Sequence, residues 1–408
     1  MRPIYLVLPL LISLAACKYS DGTQADANAT QAPAGPVVAA GPVAQVAPSA
    51  DPLSAHDGTV NAQEIPDSEP RPMMQAQVVL DRLGFTPGVV DGKPGLSTRN
   101  AVSGFQEANS LAVTGMLDAA TKAALMQYQA IPATRVVTVP DDFAAGPFVK
   151  IPKAPEDQAK LPALGYESLD EKLAERFHTT VATLKLLNPA GRPAGALKTV
   201  ANASTSPVPS ATPSLSSTLK PSPTDAPVSV FSAGQQIRVP NVGADALASG
   251  GNSDAAWQST LAMLGVGSEQ PKAARIVVSK AKGTLKAYDA GDKLIAVYTA
   301  TMGSTHDPLP LGDWGITGIS HNPKFHYNPA LFWDAKAGSE KATLPAGPNG
   351  PVGVVWIDLT KEHYGIHGTP HPETIGRAES HGCVRLTNWD VARLAQMVST
   401  RTKVTFEA

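Results

Sequence analysis

Two residues near the C-terminus have the types and the spacing needed for nucleophilic chemistry. Cys383 lies in the run SHGCVRL at positions 380–386, and His367 precedes it by sixteen positions in the run YGIHGT at 364–369. A thiol attacks as its thiolate, which a neighbouring imidazole can generate by accepting the proton. A buried and inert structural cysteine is the alternative interpretation. The two His-Gly pairs around this cysteine favour a catalytic pair, with Cys383 as nucleophile and His367 as proton acceptor and donor.

The residues that flank this pair indicate how charge developing on an attacked carbonyl could be stabilised. The amides of Gly382 and Cys383 are candidates for an oxyanion hole, because a glycine beside the nucleophile allows close approach to the reacting atoms. We expect His381 in the wall of that hole rather than as the base, because adjacent residues rarely bring two side chains together. Ser380 is either a turn hydroxyl or a support for this loop, and Gly368 is a further candidate for close backbone contact with substrate.

A metal site is a competing interpretation, because His363, His367, His371 and His381 lie close together in the sequence. Histidines four residues apart suit zinc when they share one face of a helix. Glycines and prolines interrupt residues 365–372 and would break such a helix, and a bound metal would also quench the thiolate as a nucleophile. We therefore expect no metal and no other cofactor.

The first seventeen residues indicate export from the cytoplasm. A short apolar run after Arg2 ends in Leu14-Ala15-Ala16-Cys17, which predicts a signal peptide over residues 1–16 that is too short to span a bilayer. Its end resembles a bacterial lipobox, which implies lipidation of Cys17; an ordinary signal peptide with an incidental cysteine is the alternative. Lysine at position 18, rather than aspartate, favours an outer-membrane anchor facing the periplasm. Cys383 would then be the sole free thiol of the mature chain, which in an oxidising compartment calls for a reason such as catalysis.

The composition of the remaining chain is uneven. With 408 residues the chain is long enough for two or three domains, while a net charge of −2 and 17% charged residues leave no basic field for nucleic acid. Residues 17–72 are rich in Ala, Pro, Val and Gly without a regular period, which predicts a flexible tether. Linkers are predicted at 130–160 and 243–271, and a disordered insertion rich in Ser, Pro and Thr at about 195–229.

A small helical module is predicted at residues 73–129. Apolar residues at helical spacing begin after Met73 and end at Gly84, a glycine-rich loop contains Asp91 and Gly92, and Asp118 is placed to cap a third helix. This pattern closely resembles the three-helix peptidoglycan-binding module of cell-wall enzymes. The resemblance implies binding to glycan strands or stem peptides, with Asp91 and Gly92 as candidate binding residues; a helical spacer without affinity is the alternative.

The middle of the chain, residues 161–242, predicts a second small α/β unit. It contains an amphipathic helix at about 166–177, the run LNP at 187–189 and the run GQQIRVPN at 234–241. These pieces resemble a degenerate LysM sugar-binding repeat, although a first strand is not evident. A purely structural repeat is an equal alternative.

The C-terminal residues 272–408 predict a mainly-β domain. Short β-branched runs separated by glycine turns indicate strands at 275–279, 284–288 and 293–299, with further strands at about 315–319, 352–357 and 404–406. One clear helix is predicted from about Trp389 to Val398, with Thr387 or Asn388 as its cap. We expect this helix to pack behind the cysteine loop.

The order of histidine, spacer and Ser-His-Gly-Cys-Val-Arg closely resembles the L,D-transpeptidase catalytic domain, also called the YkuD domain. Two further runs, LPLGDWGI at 309–316 and LPAGPNGPVG at 344–353, agree with it. The chain is therefore predicted to be multidomain, with a helical module, a LysM-like segment and a YkuD-like domain. The resemblance makes Cys383 the nucleophile and His367 the proton acceptor and donor.

The reaction that this resemblance implies has two halves. Cys383 attacks a tetrapeptide stem of peptidoglycan and forms a thioester, and an amine of another stem resolves it to give a 3→3 cross-link. Hydrolysis of the same thioester and a catalytically silent binding anchor are the alternatives. Arg385 stands where many family members have asparagine, and its guanidinium could pair with a stem-peptide carboxylate or brace the loop. The expected partners are peptidoglycan and, through the lipid, the outer membrane.

Overall fold

The computed structural model describes residues 65–196, 228–243, 254–336 and 338–408. The predicted signal peptide with Cys17, nearly all of the predicted tether, and most of the predicted insertion lie outside these residues. No helix in the described ranges is both long and apolar enough to cross a membrane.

Helices occupy the predicted amphipathic segments and several places where none was expected. They are α1 (Pro72–Arg82), α2 (Leu96–Ala108), α3 (Ala119–Leu125), α4 (Asp141–Ala144), α5 (Pro155–Gln158), α6 (Leu169–Arg176), α7 (Val181–Leu187), α8 (Ala255–Leu264) and α9 (Asn388–Met397).

The strands fall into one large sheet and two small ones. They are β1 (Thr134–Thr138), β2 (Gln236–Pro240), β3 (Arg275–Ser279), β4 (Thr284–Tyr288), β5 (Leu294–Thr299), β6 (Thr301–Met302), β7 (Gly312–His321), β8 (Phe325–Tyr327), β9 (Ala342–Leu344), β10 (Val355–Leu359), β11 (Gly365–His367), β12 (Val384–Arg385) and β13 (Lys403–Glu407).

The large sheet belongs to the C-terminal domain and has the order β5-β4-β3-β13-β7-β10-β11-β12-β6. Its pairs are antiparallel except for β13 with β3 and β11 with β12. Strand β7 is long enough to pair with β13 through its first residues and with β10 through its last. It thereby joins the N-terminal hairpins of the domain to the strands that carry Cys383 and His367.

The segment at residues 130–160, predicted as a linker, instead contains strand β1. This strand pairs antiparallel with β2, with Val136 opposite Arg238, and the helices α6 and α7 lie between the two strands in the sequence. It lies in a place where the sequence had shown no strand. Its run TRVVT is short and lies far from its partner in the sequence, so no local periodicity or hairpin turn marked it.

The segment at residues 243–271, also predicted as a linker, contains helix α8. Trp257, Leu261 and Leu264 on this helix are buried in the core of the C-terminal domain. Their spacing of four and three residues is that of one helix face. The helix therefore adds to the core of the C-terminal domain from before the predicted boundary at residue 272.

The N-terminal helical module docks on strand β5 through backbone contacts. The Thr86 amide donates to the Val297 carbonyl (2.9 Å), and the Val297 amide donates to the Gly84 carbonyl (3.0 Å). Helix α2 packs so closely on β5 that a Cβ at Gly104 would overlap the Val297 side chain. Leu294 and Val297 of the strand share one buried cluster with apolar residues of the module.

A buried polar cluster joins the helical module, the middle segment and the C-terminal domain; we call it the three-module junction and define it by Asp81, His178 and Arg393. Arg393 donates to both carboxylate oxygens of Asp81 (3.1 and 3.0 Å), and His178 Nδ1 lies 3.3 Å from Asp81 Oδ2. The His178 ring stacks on Trp389 with 4.9 Å between ring centroids. Burial alone would raise the pKa of Asp81, but Arg393 and His178 hold it well below its ordinary value.

Candidate active site

The parallel strands β11 and β12 bring the predicted nucleophile and base together. Ile366 lies opposite Val384 and His367 opposite Arg385, and Cys383 directly precedes β12. Because side chains alternate along a strand, Cys383, Arg385 and His367 lie on the same face. Strand β6 pairs with the other edge of β12, which holds the nucleophile strand on both sides.

The Cys383 thiol is set against the turn that enters β11. Its Sγ lies 3.7 Å from the carbonyl oxygen of His363. Desolvation raises the pKa of the thiol, and a hydrogen bond from the Gly365 backbone together with the charge of Arg385 offsets this only in part. The resting cysteine is therefore protonated at neutral pH and needs a base when it attacks.

His367 is buried and fixed as such a base. Its Nδ1 lies 2.7 Å from the carbonyl oxygen of Gly368, and because a carbonyl can only accept, Nδ1 carries the hydrogen and Nε2 keeps its lone pair. The ring stacks on Trp356 with 5.5 Å between centroids. Burial and the nearby Arg385 charge lower the pKa of His367 to about 3, against a small raising effect of the Gly368 carbonyl. Cysteine and histidine are thus both neutral at rest.

The loop before Cys383 has the features of an oxyanion site. Gly382 has φ +97°, and a Cβ there would overlap the Tyr364 ring, so glycine is required on both counts. Within the described ranges, neither the Gly382 amide nor the Cys383 amide donates to a protein acceptor. Two backbone N–H groups beside the nucleophile are therefore available to a developing negative charge.

Ser380 braces this loop from inside. Its hydroxyl donates to the Cys383 carbonyl (2.7 Å) and accepts from the Gly303 amide (2.6 Å). Gly368 is likewise engaged, since its amide donates to the Val352 carbonyl (3.1 Å) and its own carbonyl faces His367. Support of the loop is one of the two roles expected of Ser380, whereas Gly368, a candidate for contact with substrate, is held beside His367.

His381 lies on the other side of the loop, away from the base position. Its Nε2 is 2.9 Å from Asp334 Oδ1, and its ring contacts Phe332 edge-on at 5.1 Å and Trp333 at 5.9 Å between centroids. Those three residues belong to the segment between β8 and β9, which sequence reasoning did not connect with the site. Nothing in their local pattern marks them, because the contact is made across a long loop.

Arg385 places a cation between the nucleophile and the base. Its charge acts on both Cys383 and His367, while burial lowers its own pKa. Its Nε is buried and has no hydrogen-bond partner among the described residues, and the charge of Asp334 acts on the guanidinium. The guanidinium is thus positioned to receive an anionic group of a ligand.

The remaining predicted residues are dispersed. His363 and His371 are exposed beside Glu362 and Glu373, and in the described ranges no three His, Cys, Asp or Glu residues are grouped so as to hold a metal ion. Asp91, in the helical module, closes its own loop by accepting from the Lys93 amide (2.9 Å).

The mixed sheet, the cysteine–histidine pair and the preceding helices define a cysteine-centred catalytic domain with an appended helical module. The chain belongs to the L,D-transpeptidase family: residues 273–406 match the model of the L,D-transpeptidase catalytic domain, YkuD. Residues 71–125 match the model described as "Putative peptidoglycan binding domain". The resemblances to the L,D-transpeptidase catalytic domain and to the peptidoglycan-binding module are thereby confirmed.

Two relatives that are at least 30% identical agree with this assignment. The chain is 35% identical over 130 residues to the "Putative L,D-transpeptidase YkuD" of Bacillus licheniformis, covering 32% of this chain and 63% of that protein. It is 30% identical over 135 residues to the "Putative L,D-transpeptidase YqjB" of Bacillus subtilis, covering 32% and 68%. A solved structure, "L,D-transpeptidase from Mycobacterium smegmatis", aligns with 20% identity over 33% of this chain and 58% of that chain, at a TM-score of 0.27. The chain spans less than two thirds of the length of the first relative.

Proposed function

We propose that this chain is an L,D-transpeptidase that forms 3→3 cross-links between tetrapeptide stems of peptidoglycan. The observation that carries the proposal is the neutral pair of Cys383 and His367 on one face of β11 and β12, next to the Arg385 cation. Two uncommitted amides beside the thiol complete what acyl transfer requires.

The first half of the reaction follows from this geometry. As Sγ of Cys383 attacks the carbonyl of the third stem residue, its proton passes to Nε2 of His367, which the Gly368 carbonyl keeps available. The amides of Gly382 and Cys383 receive the oxyanion. When the C–N bond breaks, the imidazolium gives its proton to the leaving amine of D-Ala, and an acyl thioester remains on Cys383.

The second half runs the same steps with an acceptor amine. The side-chain amine of a diaminopimelate in another stem attacks the thioester, His367 accepts its proton, and the departing thiolate recovers a proton from the imidazolium. Arg385, whose Nε has no hydrogen-bond partner among the described residues, would hold a stem carboxylate. A water molecule in place of the amine would give a carboxypeptidase.

We further propose that the chain acts in the periplasm, bound to the outer membrane through a lipid on Cys17, and that the helical module and the LysM-like segment hold it on the wall. In the module, the loop of Asp91 and Gly92 is the candidate contact. Labelled palmitate should enter the full chain but not its Cys17→Ala variant. Sacculi should retain the full chain more strongly than its Asp91→Ala variant.

Mass spectrometry of muropeptides incubated with the purified full chain tests the central proposal. We expect a cross-linked dimer that has lost one D-Ala, and no product with Cys383→Ala. A tripeptide without dimers would establish hydrolysis instead, and an unchanged tetrapeptide with a correctly folded wild-type chain would favour a binding anchor.

A further inference from the structure

Helix α6 lies in the middle segment, outside the matched catalytic domain, yet one of its residues contacts the first turn of helix α9. Glu175 is buried, and its Oε1 accepts from Nδ2 of Asn388 at 2.7 Å. The same Nδ2 group donates to the Pro348 carbonyl at 3.1 Å. Because a carboxyl oxygen and a carbonyl both accept, the Asn388 amide has its nitrogen on this side.

The opposite side of the Asn388 amide is thereby its carbonyl oxygen. This oxygen accepts from the Val354 amide at 3.3 Å. It lies so close to two glycines that a Cβ at Gly353 or at Gly368 would overlap it. The Asn388 side chain therefore packs directly against the backbone of Gly368. Because Gly368 has no side chain, nothing separates the two residues.

Gly368 in turn supplies the carbonyl that fixes the His367 tautomer, with 2.7 Å from Nδ1 to the oxygen. Three contacts thus connect Glu175 to the proton acceptor of the candidate active site. Glu175 accepts a hydrogen bond from Asn388, Asn388 packs against Gly368, and the Gly368 carbonyl faces His367. A cavity of about 130 Å³ next to Glu175 is also lined by Pro370 and Pro372, which follow Gly368 in the chain.

We propose that Glu175 is a positioning residue for His367, so that helix α6 completes the catalytic domain rather than merely covering it. By holding the Asn388 amide in one orientation, Glu175 keeps the Gly368 carbonyl aligned with Nδ1 of His367. The kinetic part of this proposal rests on the proposed function, whereas the tautomer of His367 can be observed without any turnover.

The groups that face Glu175 come from several elements. Glu171 lies one turn earlier on α6, Tyr166 precedes that helix, Asn388 belongs to α9, and Glu373 lines the shared cavity. Burial raises the pKa of Glu175 to about 7, while Tyr166 and Asn388 lower it and the charge of Glu171 raises it further. An acceptor oxygen faces Asn388 in either protonation state, so a glutamine should replace this carboxyl.

The test compares Glu175→Gln, which keeps an acceptor, with Glu175→Met, which keeps the length and removes it. Glu171→Met is the matched control, because Glu171 lies on the same helix, lines the same cavity and accepts from Asn349 rather than Asn388. Nitrogen-15 NMR of labelled histidine reports the His367 tautomer, assigned with a His367→Asn variant. Steady-state kinetics on tetrapeptide separates kcat from KM.

We expect wild type, Glu175→Gln and Glu171→Met to show a single Nδ1–H tautomer and similar kcat. Glu175→Met should show mixed tautomers and a kcat lower by roughly 10-fold to 100-fold with little change in KM, the size of effect that a small misplacement of a catalytic group causes. An unchanged tautomer and kcat in a folded Glu175→Met chain would overturn the proposal.

Should Glu175→Met fail to fold, Asn388→Ala tests the second contact directly, and a wild-type tautomer in that variant would equally overturn the proposal. Failure of the two proposals can be told apart. An inactive wild type whose tautomer still depends on Glu175 would refute only the enzymatic function. An active wild type that tolerates Glu175→Met would refute only the positioning role.

Discussion

Arg393 on the C-terminal helix holds both carboxylate oxygens of Asp81 on the first helix, at 3.1 and 3.0 Å. These helices belong to modules that the sequence separates by more than half the chain. Both side chains are almost fully buried, so the ion pair links the helical module to the catalytic domain where water does not screen it.

Asp81→Asn should therefore destabilise the folded chain by about 3–5 kcal/mol, because it removes one partner of a buried ion pair. Urea denaturation followed by tryptophan fluorescence measures this. The control is Asp157→Asn, which removes an exposed ion pair with Lys160 and should leave the midpoint unchanged. A loss below about 1 kcal/mol at Asp81 would mean that water reaches the three-module junction.

A pH dependence is expected from Asp390, next to the same junction. Burial raises the pKa of Asp390 to about 7, with Arg393 lowering it and Asp81 raising it. Between about pH 4 and pH 7 the folded chain then holds a proton that the unfolded chain has released, so this residue makes stability fall as the pH rises through that window.

Asp390→Asn, whose side chain stays neutral at every pH, should not show this loss of stability as the pH rises. Its stability relative to wild type should increase between pH 4 and pH 7 by an amount on the order of a few kcal/mol. Denaturation midpoints at several pH values measure the difference. A difference that stays constant with pH would show that Asp390 is ionised in the folded chain.

Arg385 should control the reactivity of the thiol. Its charge lowers the pKa of both Cys383 and His367, so Arg385→Leu should raise both and slow alkylation of Cys383 by iodoacetamide at neutral pH. The measurement uses a chain with Cys17→Ser, in which Cys383 is the single thiol, and follows alkylation by mass spectrometry from pH 6 to pH 10. An identical or faster profile would contradict this electrostatic role; Arg377→Leu is the matched control.

Gly382→Ala should abolish turnover. The left-handed backbone at φ +97° disfavours alanine by about 1–2 kcal/mol, and its Cβ would displace Tyr364 or the loop that carries the two free amides. Gly318→Ala is the matched control, because a Cβ there meets no atom within 4 Å. Muropeptide turnover by the two variants gives the comparison, and full activity of Gly382→Ala would exclude a role of this backbone in stabilising the oxyanion.

Local sequence signals predicted much of the fold and of the candidate site. The thiol and imidazole were identified from residue type and spacing, and Thr387 caps α9 as one of the two residues expected to do so. The same helix also shows what local sequence signals could not predict. One buried face was predicted, yet Trp389, Asp390 and Arg393 are buried as well, because α6, α8 and the helical module cover the remaining faces.

The features that were missed depend on contacts between segments distant in the sequence. Strand β1 is defined only by its pairing with β2, and Asp334 reaches His381 only through the long loop between β8 and β9. Helix α8 is different, since its apolar spacing was visible in the sequence. The segment was nevertheless predicted as a linker, because the surrounding residues are rich in glycine and serine and the amphipathic pattern is short.

The docking of Gly84 and Thr86 on Val297 has a consequence for solubility. Strand β5 is the last strand at its end of the sheet, and an edge strand with free amides and carbonyls can pair with another chain. The helical module occupies the hydrogen-bonding groups of Val297 and covers the apolar side chain of Leu294. We therefore expect a catalytic domain produced without the module to self-associate along this edge. In the full chain the module prevents this aggregation by covering the edge strand.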